Sequence, residues 1–449
     1  MSRTSDAPAI GWSRRNTELG LILLGAVITT AGYVLATLGN SAEIPGNVIP
    51  FLVVVVALLL AAHVATRRLA PAADGSLLPI AALLNGVGYV FIARLAGETS
   101  TRGVLVPGDL PGLQATWTLL GIAAYIVTLA VVPRLRTLEQ YRYTFALGGV
   151  LLLVLPLAPV IGREVNGARI WVRFGSINLQ PGEFAKIALA IFIAGYLVEK
   201  RELLGIASRR IGRLAIPELK HLGPVLLAWG ISLLVMIFQK DLGTSLLFFA
   251  LFVVLLWIAT ERIAYLLLGT VMFGVGAVAA WSVFGHVQDR VTIWLDPFSD
   301  PRGAGYQIVQ STFSLADGGL TGTGLGRGEP EIIPEVETDF IFVAIGEELG
   351  LLGTTAILTC FLLLIGAGLR IAIMSNRPFD KLLVTGITTL IGLQAFVIIG
   401  GIIRVVPLTG ITLPFVSYGG SSLLANYILL ALLVRASDEQ AASPRRSTR

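Results

Sequence analysis

Apolar residues along this 449-residue chain gather in long runs, parted by short polar stretches. Crossing a hydrocarbon core as a helix takes roughly 20 mostly apolar residues. The runs predict helices at 18–38, 48–66, 76–95, 114–132, 143–160, 183–199, 222–238, 242–259, 263–284, 340–369, 383–403 and 420–434. The expected fold is all-α: a polytopic membrane bundle of about twelve transmembrane helices, with one long connection near 285–339.

Against that pattern the polar interruptions are the informative positions. The sharpest is Gln239-Lys240-Asp241-Leu242-Gly243-Thr244, which sets a lysine and an aspartate in the seam between two apolar helices. An ionisable group at membrane depth is costly, about 3 kcal/mol on insertion scales, and is read as functional. A helix cap is the other reading, because Asp241 can accept from the free amides of the helix starting near Leu242. Spacing alone does not separate the two, and one carboxylate can do both jobs.

Composition sharpens the membrane reading. The chain is 55% hydrophobic and 14% charged, with a mean hydropathy of +0.81; soluble domains are nearer a quarter charged. The single Cys360 excludes an internal disulfide. His63, His221 and His286 are far apart, and no HExxH or CxxC spacing suggests zinc. The net charge of +5 is read as loop topology rather than nucleic-acid binding. Residues 1–17 are polar, carry Arg3, Arg14 and Arg15, and read as a cytoplasmic tail without a cleavable signal. With that tail inside, about two thirds of the Lys and Arg fall on inner segments. The inner loop Lys200–His221 is the most basic of these, and a tail at 436–449 also lies inside. Ile161–Gly182, the 285–339 connection, Arg404–Gly420 and Asp241 then share the outer face.

Each outer segment offers chemistry beside a structural alternative. Asn166-Gly167 signals a turn, and Arg169, Trp171 and Arg173 suit either anionic groups or interfacial anchoring. Pro181 and Glu183 suit a helix start. Lys186 lies three residues on and can pair with Glu183, as part of a polar cavity or as a buried strut. From Tyr306 a short amphipathic helix would put Gln307 and Gln310 on one face, with Ile308 and Val309 off it. The glycines from Gly318 to Gly328 are no phosphate loop, since no Gly-Lys-Ser/Thr follows; they permit tight turns or close approach. Glu329, Glu331, Glu335, Glu337 and Asp339 form either a solvated rim or a site for a divalent cation. Glu347 and Glu348 follow at the top of a membrane helix. The stretch 407–422, with Pro407, Pro414, Gly410, Gly419 and Gly420, cannot be a continuous helix. Irregular backbone at membrane depth is tolerated only where it is buried in protein or lines a wet cavity.

Together these strings resemble the SEDS family, the shape, elongation, division and sporulation proteins typified by RodA and FtsW. The matching strings are Asn166-Gly167-Ala168-Arg169, Gln180-Pro181 with Glu183 and Ala185-Lys186, Asp241-Leu242-Gly243-Thr244, Gly305-Tyr306-Gln307 with Gln310-Ser311, Thr338-Asp339-Phe340 with Gly346-Glu347-Glu348, and Leu413-Pro414-Phe415 with Ser417-Tyr418-Gly419-Gly420-Ser421-Ser422. The resemblance covers roughly 160–435. It implies a peptidoglycan glycosyltransferase polymerising lipid II, a disaccharide-pentapeptide on undecaprenyl pyrophosphate. The reaction would take place at the outer face of the cytoplasmic membrane, with a single-pass class B penicillin-binding protein as partner. By resemblance Asp241 falls on the family's essential aspartate, and Glu183 and Lys186 on its paired charges.

On that reading Asp241 is the general base in an inverting displacement. Lys240, Arg169 and a divalent cation, Mg2+ or Mn2+, answer the pyrophosphate. Glu183, Lys186, Gln307, Gln310, Asp339, Glu347, Ser417, Tyr418, Gly419, Gly420 and Ser421 bind substrate. Two departures stand out. The family often has proline where Lys240 stands, and its core has about ten spans. The excess lies in 18–142, so a core at 143–435 is expected behind about four further helices. The alternatives are a flippase of a lipid-linked precursor, a non-catalytic scaffold, and a division-type rather than elongation-type polymerase; short termini favour elongation.

Overall fold

The computed structural model describes residues 9–42, 46, 48–97, 106–165, 167–175, 177–206, 208–211, 214–217 and 223–442. The expected tails therefore lie partly outside the described residues, as do Asn166 and much of the Lys200–His221 loop. In chain order the elements begin with α1 (Ala9–Ser41), α2 (Val48–Leu69), α3 (Leu77–Leu95), α4 (Leu110–Val131), α5 (Arg136–Gln140) and α6 (Arg142–Val154). Three strands follow, β1 (Gly162–Val165), β2 (Ala168–Phe174) and β3 (Ile177–Leu179), then α7 (Pro181–Ile206) and the pair β4 (Ser208–Ile211) and β5 (Leu214–Pro217). The remainder is α8 (Gly223–Gln239), α9 (Leu242–Thr260), α10 (Ile263–Val283), α11 (Gly285–Leu295), α12 (Tyr306–Gly318), α13 (Ile341–Met374), α14 (Pro378–Ile402) and α15 (Gly420–Ala442).

All twelve expected helices are present. Among the described residues ten helices are long and apolar enough to cross a membrane. The other two, α6 and α8, are shorter, at 13 and 17 residues. The boundaries furthest from expectation are those of α1, which begins at Ala9, and α15, which runs on to Ala442, both through polar sequence. Arg, Glu and Gln are good helix formers, so an existing helix carries on through them where no proline stops it. The β1–β2–β3 sheet is antiparallel, with Gly162 and Leu179 both opposite Val172. The Arg–Trp alternation, read from sequence as interfacial anchoring, is the period of a strand.

The chain divides into two compact units. The first holds residues 1–135, 310–375 and 412–449; the second holds 136–309 and 376–411. In the first, α1 packs on α3 and α4 on α15 through small residues. A side chain at Gly86 would meet Thr29 Oγ1 at 2.1 Å, and one at Gly121 would meet the Tyr427 ring at 2.5 Å. Such close helix approach is how membrane helices pack without a hydrophobic driving force. Arg435 donates to the carbonyls of Leu129, Val132 and Leu69, so one guanidinium serves the last turns of α2 and α4.

The glycine run belongs to this unit too. The helix α13 is kinked at Gly350, φ 64° and ψ −162°. Gly322 lies so close that a side chain there would meet the Glu348 carbonyl at 2.1 Å. Glu347 Oε1 accepts from the Glu329 amide at 2.7 Å, and Glu348 Oε2 from the Gly326 amide at 2.9 Å. Arg94 Nε donates to Glu348 Oε1 at 2.6 Å, and its NH1 lies 3.2 Å from Glu331. Buried charges persist when they are paired and hydrogen-bonded, and these hold the loop backbone against the kink.

In the second unit α7 packs against α6, α9 and α14. The connection after α10 turns back at once as α11. Trp294 Nε1 donates to the Arg404 carbonyl at 3.0 Å, Arg404 donates to the carbonyls of Trp294 and Leu295, and Arg290 donates to the Leu408 carbonyl at 2.7 Å. These bonds fix α11 along the segment that leaves α14.

Candidate functional site

The seam between α8 and α9 is made by one residue in the left-handed region, Lys240 at φ 55°. Asp241 is extended, φ −106° and ψ 93°, and its Oδ1 accepts from the Thr244 amide at 2.9 Å. That is an N-cap, satisfying one of the orphan donors of α9. The residue is 8% exposed. Gly243 is where the seam meets the segment leaving α14: a side chain there would meet Ile411 Cγ2 at 2.3 Å and Thr409 Cβ at 3.3 Å. The charges that act on Asp241 are Glu183 and Arg290, of opposite sign.

The pair expected from spacing is formed. Lys186 Nζ lies 2.8 Å from Glu183 Oε2 and donates to Gln394 Oε1 at 3.0 Å, with Glu183 and Lys186 both buried. Lys240 is exposed and stands 4.0 Å from the exposed Glu164 on β1, too loose and too solvated to hold it. His286, on α11, is held below the usual imidazole range by burial and by the charges of Arg290 and Lys240. It is therefore neutral near pH 7, and its Nε2 has no hydrogen-bond partner among the described residues. Thr409 Oγ1 is likewise buried without one. Arg169 is half-buried on β2.

The first unit carries its own cluster. Ser417 donates to the Thr338 carbonyl at 2.5 Å and accepts from the Leu413 amide at 2.9 Å. The Tyr418 amide donates to the Glu337 carbonyl at 2.8 Å. The turn at 412–420 is thus laced to the residues just before α13, among them the half-buried Asp339. Burial, with the Glu335 charge, pushes the Glu337 carboxyl up. Burial, with the carboxylates of Asp109 and Glu337, pushes the Tyr418 phenol up. Gly420 is required by packing, since a side chain would strike the Trp117 ring at 2.1 Å; Gly419 lies against Thr412. Ser421 is buried, and Thr412 donates to Ser422 at 2.8 Å.

The residues singled out from sequence therefore form two groups. Lys240, Asp241, Glu183 and Lys186 gather in the second unit; Asp339, Ser417, Tyr418, Gly419, Gly420 and Ser421 belong to the first. Gln307 and Gln310 share a half-buried face of α12, and Ile308 and Val309 are buried off it. Glu347 spends one oxygen on the glycine run, and its Oε2 is buried with no hydrogen-bond partner among the described residues. Gln394, Arg290, His286 and Thr409 were not anticipated. Gln394 left a signal, as a lone amide in an apolar run; the others sit where only the fold brings them. Among the described residues no three His, Cys, Asp or Glu side chains gather closely enough to hold a metal ion.

A bundle of apolar helices, ten of them long enough to span a membrane among the described residues, defines a polytopic integral membrane protein. The chain belongs to the FtsW/RodA/SpoVE family: the family model described as "Cell cycle protein" matches residues 75–442. Peptidoglycan glycosyltransferase RodA of Mycobacterium tuberculosis is 45% identical over 426 residues, covering 95% of this chain and 91% of that protein. The RodA of Mycobacterium leprae is 44% identical over 432 residues, covering 95% and 90%. Probable peptidoglycan glycosyltransferase FtsW of Geobacter metallireducens is 36% identical over 334 residues, covering 74% and 85%. A chain from a structure described as structural coordination of polymerization and crosslinking by a peptidoglycan synthase complex superposes with a TM-score of 0.64 at 27% identity, covering 83% of this chain and 99% of that one. An aspartate-to-alanine variant of Thermus thermophilus rod shape determining protein RodA superposes at 0.59 and 26%, covering 82% and 98%.

Proposed function

We infer that this multi-pass membrane protein is a peptidoglycan glycosyltransferase that polymerises lipid II. The observation that carries the reading is the 45% identity to a protein of that name over 95% of the chain. In the reaction a sugar hydroxyl attacks an anomeric carbon that bears pyrophosphate. The new glycosidic C–O bond forms as the C–O bond to pyrophosphate breaks, with inversion. The hydroxyl proton passes to a base, and the leaving pyrophosphate takes the electron pair. A positioned base contributes typically 10²–10⁴-fold, and fixed charge at the leaving group is often the larger contribution.

Asp241 is the proposed base. Lys240 and Arg169, joined by Arg290 beside Asp241, are the proposed partners of the pyrophosphate. The Glu183–Lys186–Gln394 group keeps buried charge compensated beside them. Gln307, Gln310, Ser417 and Tyr418 are proposed contacts of the sugar. A Mg2+ or Mn2+ ion would supply further charge at the pyrophosphate. Among the described residues no three ligating side chains gather, so the fit is to the mode in which one or two carboxylates share the ion with substrate phosphates. The basic inner loops support a topology with both termini in the cytoplasm and the site outward. The higher identity to RodA than to FtsW supports an elongation role, and the synthase-complex neighbour supports a class B penicillin-binding protein as partner.

One observation favours a second base. Asp241 is nearly buried and one of its oxygens is committed to the cap, whereas Asp339 is half-buried. A base must come within about 2.6–3.2 Å of its proton. Purified Asp241→Asn and Asp339→Asn, given lipid II, separate the readings by glycan yield. Asparagine caps as well as aspartate, so Asp241→Asn should melt like wild type and lose at least about 100-fold in polymer. Wild-type yield from Asp241→Asn with an inert Asp339→Asn moves the base to Asp339. Wild-type yield from both ends the carboxylate account.

A further inference from the structure

Within the first unit, α1, α2, α3, α4 and α15 enclose a cavity of about 270 Å3, lined by none of the residues discussed above as catalytic or substrate-binding. Its outer part is formed by Pro50 and Val54, both exposed on the face of α2. One wall is aromatic: Phe51 stacks on Tyr89 at 5.1 Å, and Tyr33 packs on Phe51 at 4.6 Å. Among the described residues no charged side chain lines it. The inner end is polar. Asn85, 6% exposed, donates through Nδ2 to the Tyr427 hydroxyl at 3.0 Å and to Thr118 Oγ1 at 3.2 Å. Thr118 spends its own hydrogen on the Gln114 carbonyl. Asn85 Oδ1 has no hydrogen-bond partner among the described residues.

An amide end left unpaired inside a membrane protein is expensive, because hydrocarbon offers it nothing. Water answers only the polar end and leaves the apolar remainder of the space unfilled. We propose that this cavity binds an uncharged glycerolipid carrying a free hydroxyl, of the diacylglycerol class, with the hydroxyl at Asn85 and Tyr427 and an acyl chain leaving past α2. The amide can be oriented either way round at its partners. A hydroxyl satisfies both orientations, being donor and acceptor at once. An uncharged head suits walls without charge, because an anionic one would enter unpaired. The outer part of the site is built from α2, which precedes the family match at 75–442.

The test uses the full chain in phosphatidylglycerol nanodiscs and a diazirine-bearing diacylglycerol, with labelled peptides mapped by mass spectrometry. Labelling concentrated in 50–59 and 82–89, displaced by plain diacylglycerol but not by phosphatidic acid, is the expected result. Asn85→Leu should lower labelling about tenfold, the effect of losing one buried hydrogen bond to the ligand. Val55→Trp, which fills the cavity from the α2 wall, should abolish it even if Asn85→Leu misfolds. Labelling spread evenly over the lipid-facing helices, equal displacement by phosphatidic acid, or wild-type labelling of a folded Val55→Trp protein would overturn the proposal.

Discussion

At the scale of single residues, the seam at 239–244 shows how far spacing can be read. Both sequence readings of Asp241 were local, and the cap is present in full, because an aspartate ahead of an apolar helix has an amide three residues on to accept from. What spacing could not show is Lys240 at φ 55°. That conformation costs an L-residue about 1–2 kcal/mol and is closed to proline, whose ring fixes φ near −65°. The lysine at a position where the family often has proline is thus tied to the geometry of this seam. Lys240→Pro should destabilise the protein by about 3 kcal/mol, read as a lowered melting temperature in detergent together with reduced polymer yield; an unchanged melting curve would refute the link. The Glu183–Lys186 pair was legible because three residues make one face of a helix. Gln394, which completes it, comes from α14, some 200 positions away, and no local period reaches that far.

At the scale of elements, hydropathy was sufficient for the helices and silent about what joins them. Twelve apolar runs became twelve helices, since a span must satisfy its own backbone in lipid. The β1–β3 sheet was missed because a short strand of mixed Arg, Trp and Val has no strong apolar period. The glycine run permits close approach, and the reason lies in α13: its kink and two glutamates need bare backbone against them. Loop chemistry also sets a pH limit. Asp74 links the start of α3 to α13 and α15 through Ser76, Arg370 and Ser437. Burial pushes its carboxyl up, but the Ser76 hydroxyl and amide and the Arg370 guanidinium outweigh that and hold it below the usual range. A carboxyl lowered by folding stabilises fully above its unfolded pKa, near 4, and the contribution is lost as pH falls through the lower folded value. Thermal stability should therefore drop below about pH 4, and Asp74→Asn should flatten that acid limb while lowering stability at neutral pH.

At the scale of the whole molecule, the chain crosses between its two units four times, at 135, 309, 375 and 411. A linear reading gave a tail, a leading group of helices and a core; it could not show that 1–135 shares a unit with 310–375 and 412–449, because that pairing rests on contacts remote in sequence. Topology is testable with the single native cysteine removed. In a Cys360→Ala background, Asp289→Cys on α11 should react with a membrane-impermeant maleimide added to intact cells. Asn376→Cys, between α13 and α14, should react only after the cells are opened. The reverse pattern would invert the proposed orientation.

The seating of α1 has a consequence for how this protein can be shortened. Gly326 lies against the Ala36 carbonyl, and Gly39 against the Leu325 carbonyl, each so close that a methyl group would collide at about 2 Å. The leading helix is therefore a lid on the same backbone that Arg94, Glu347 and Glu348 hold from below. Trimming the protein to its family-matched portion would leave those peptide groups bare on one side. Grafting the first 74 residues onto a relative would work only where small residues stand at both meeting points.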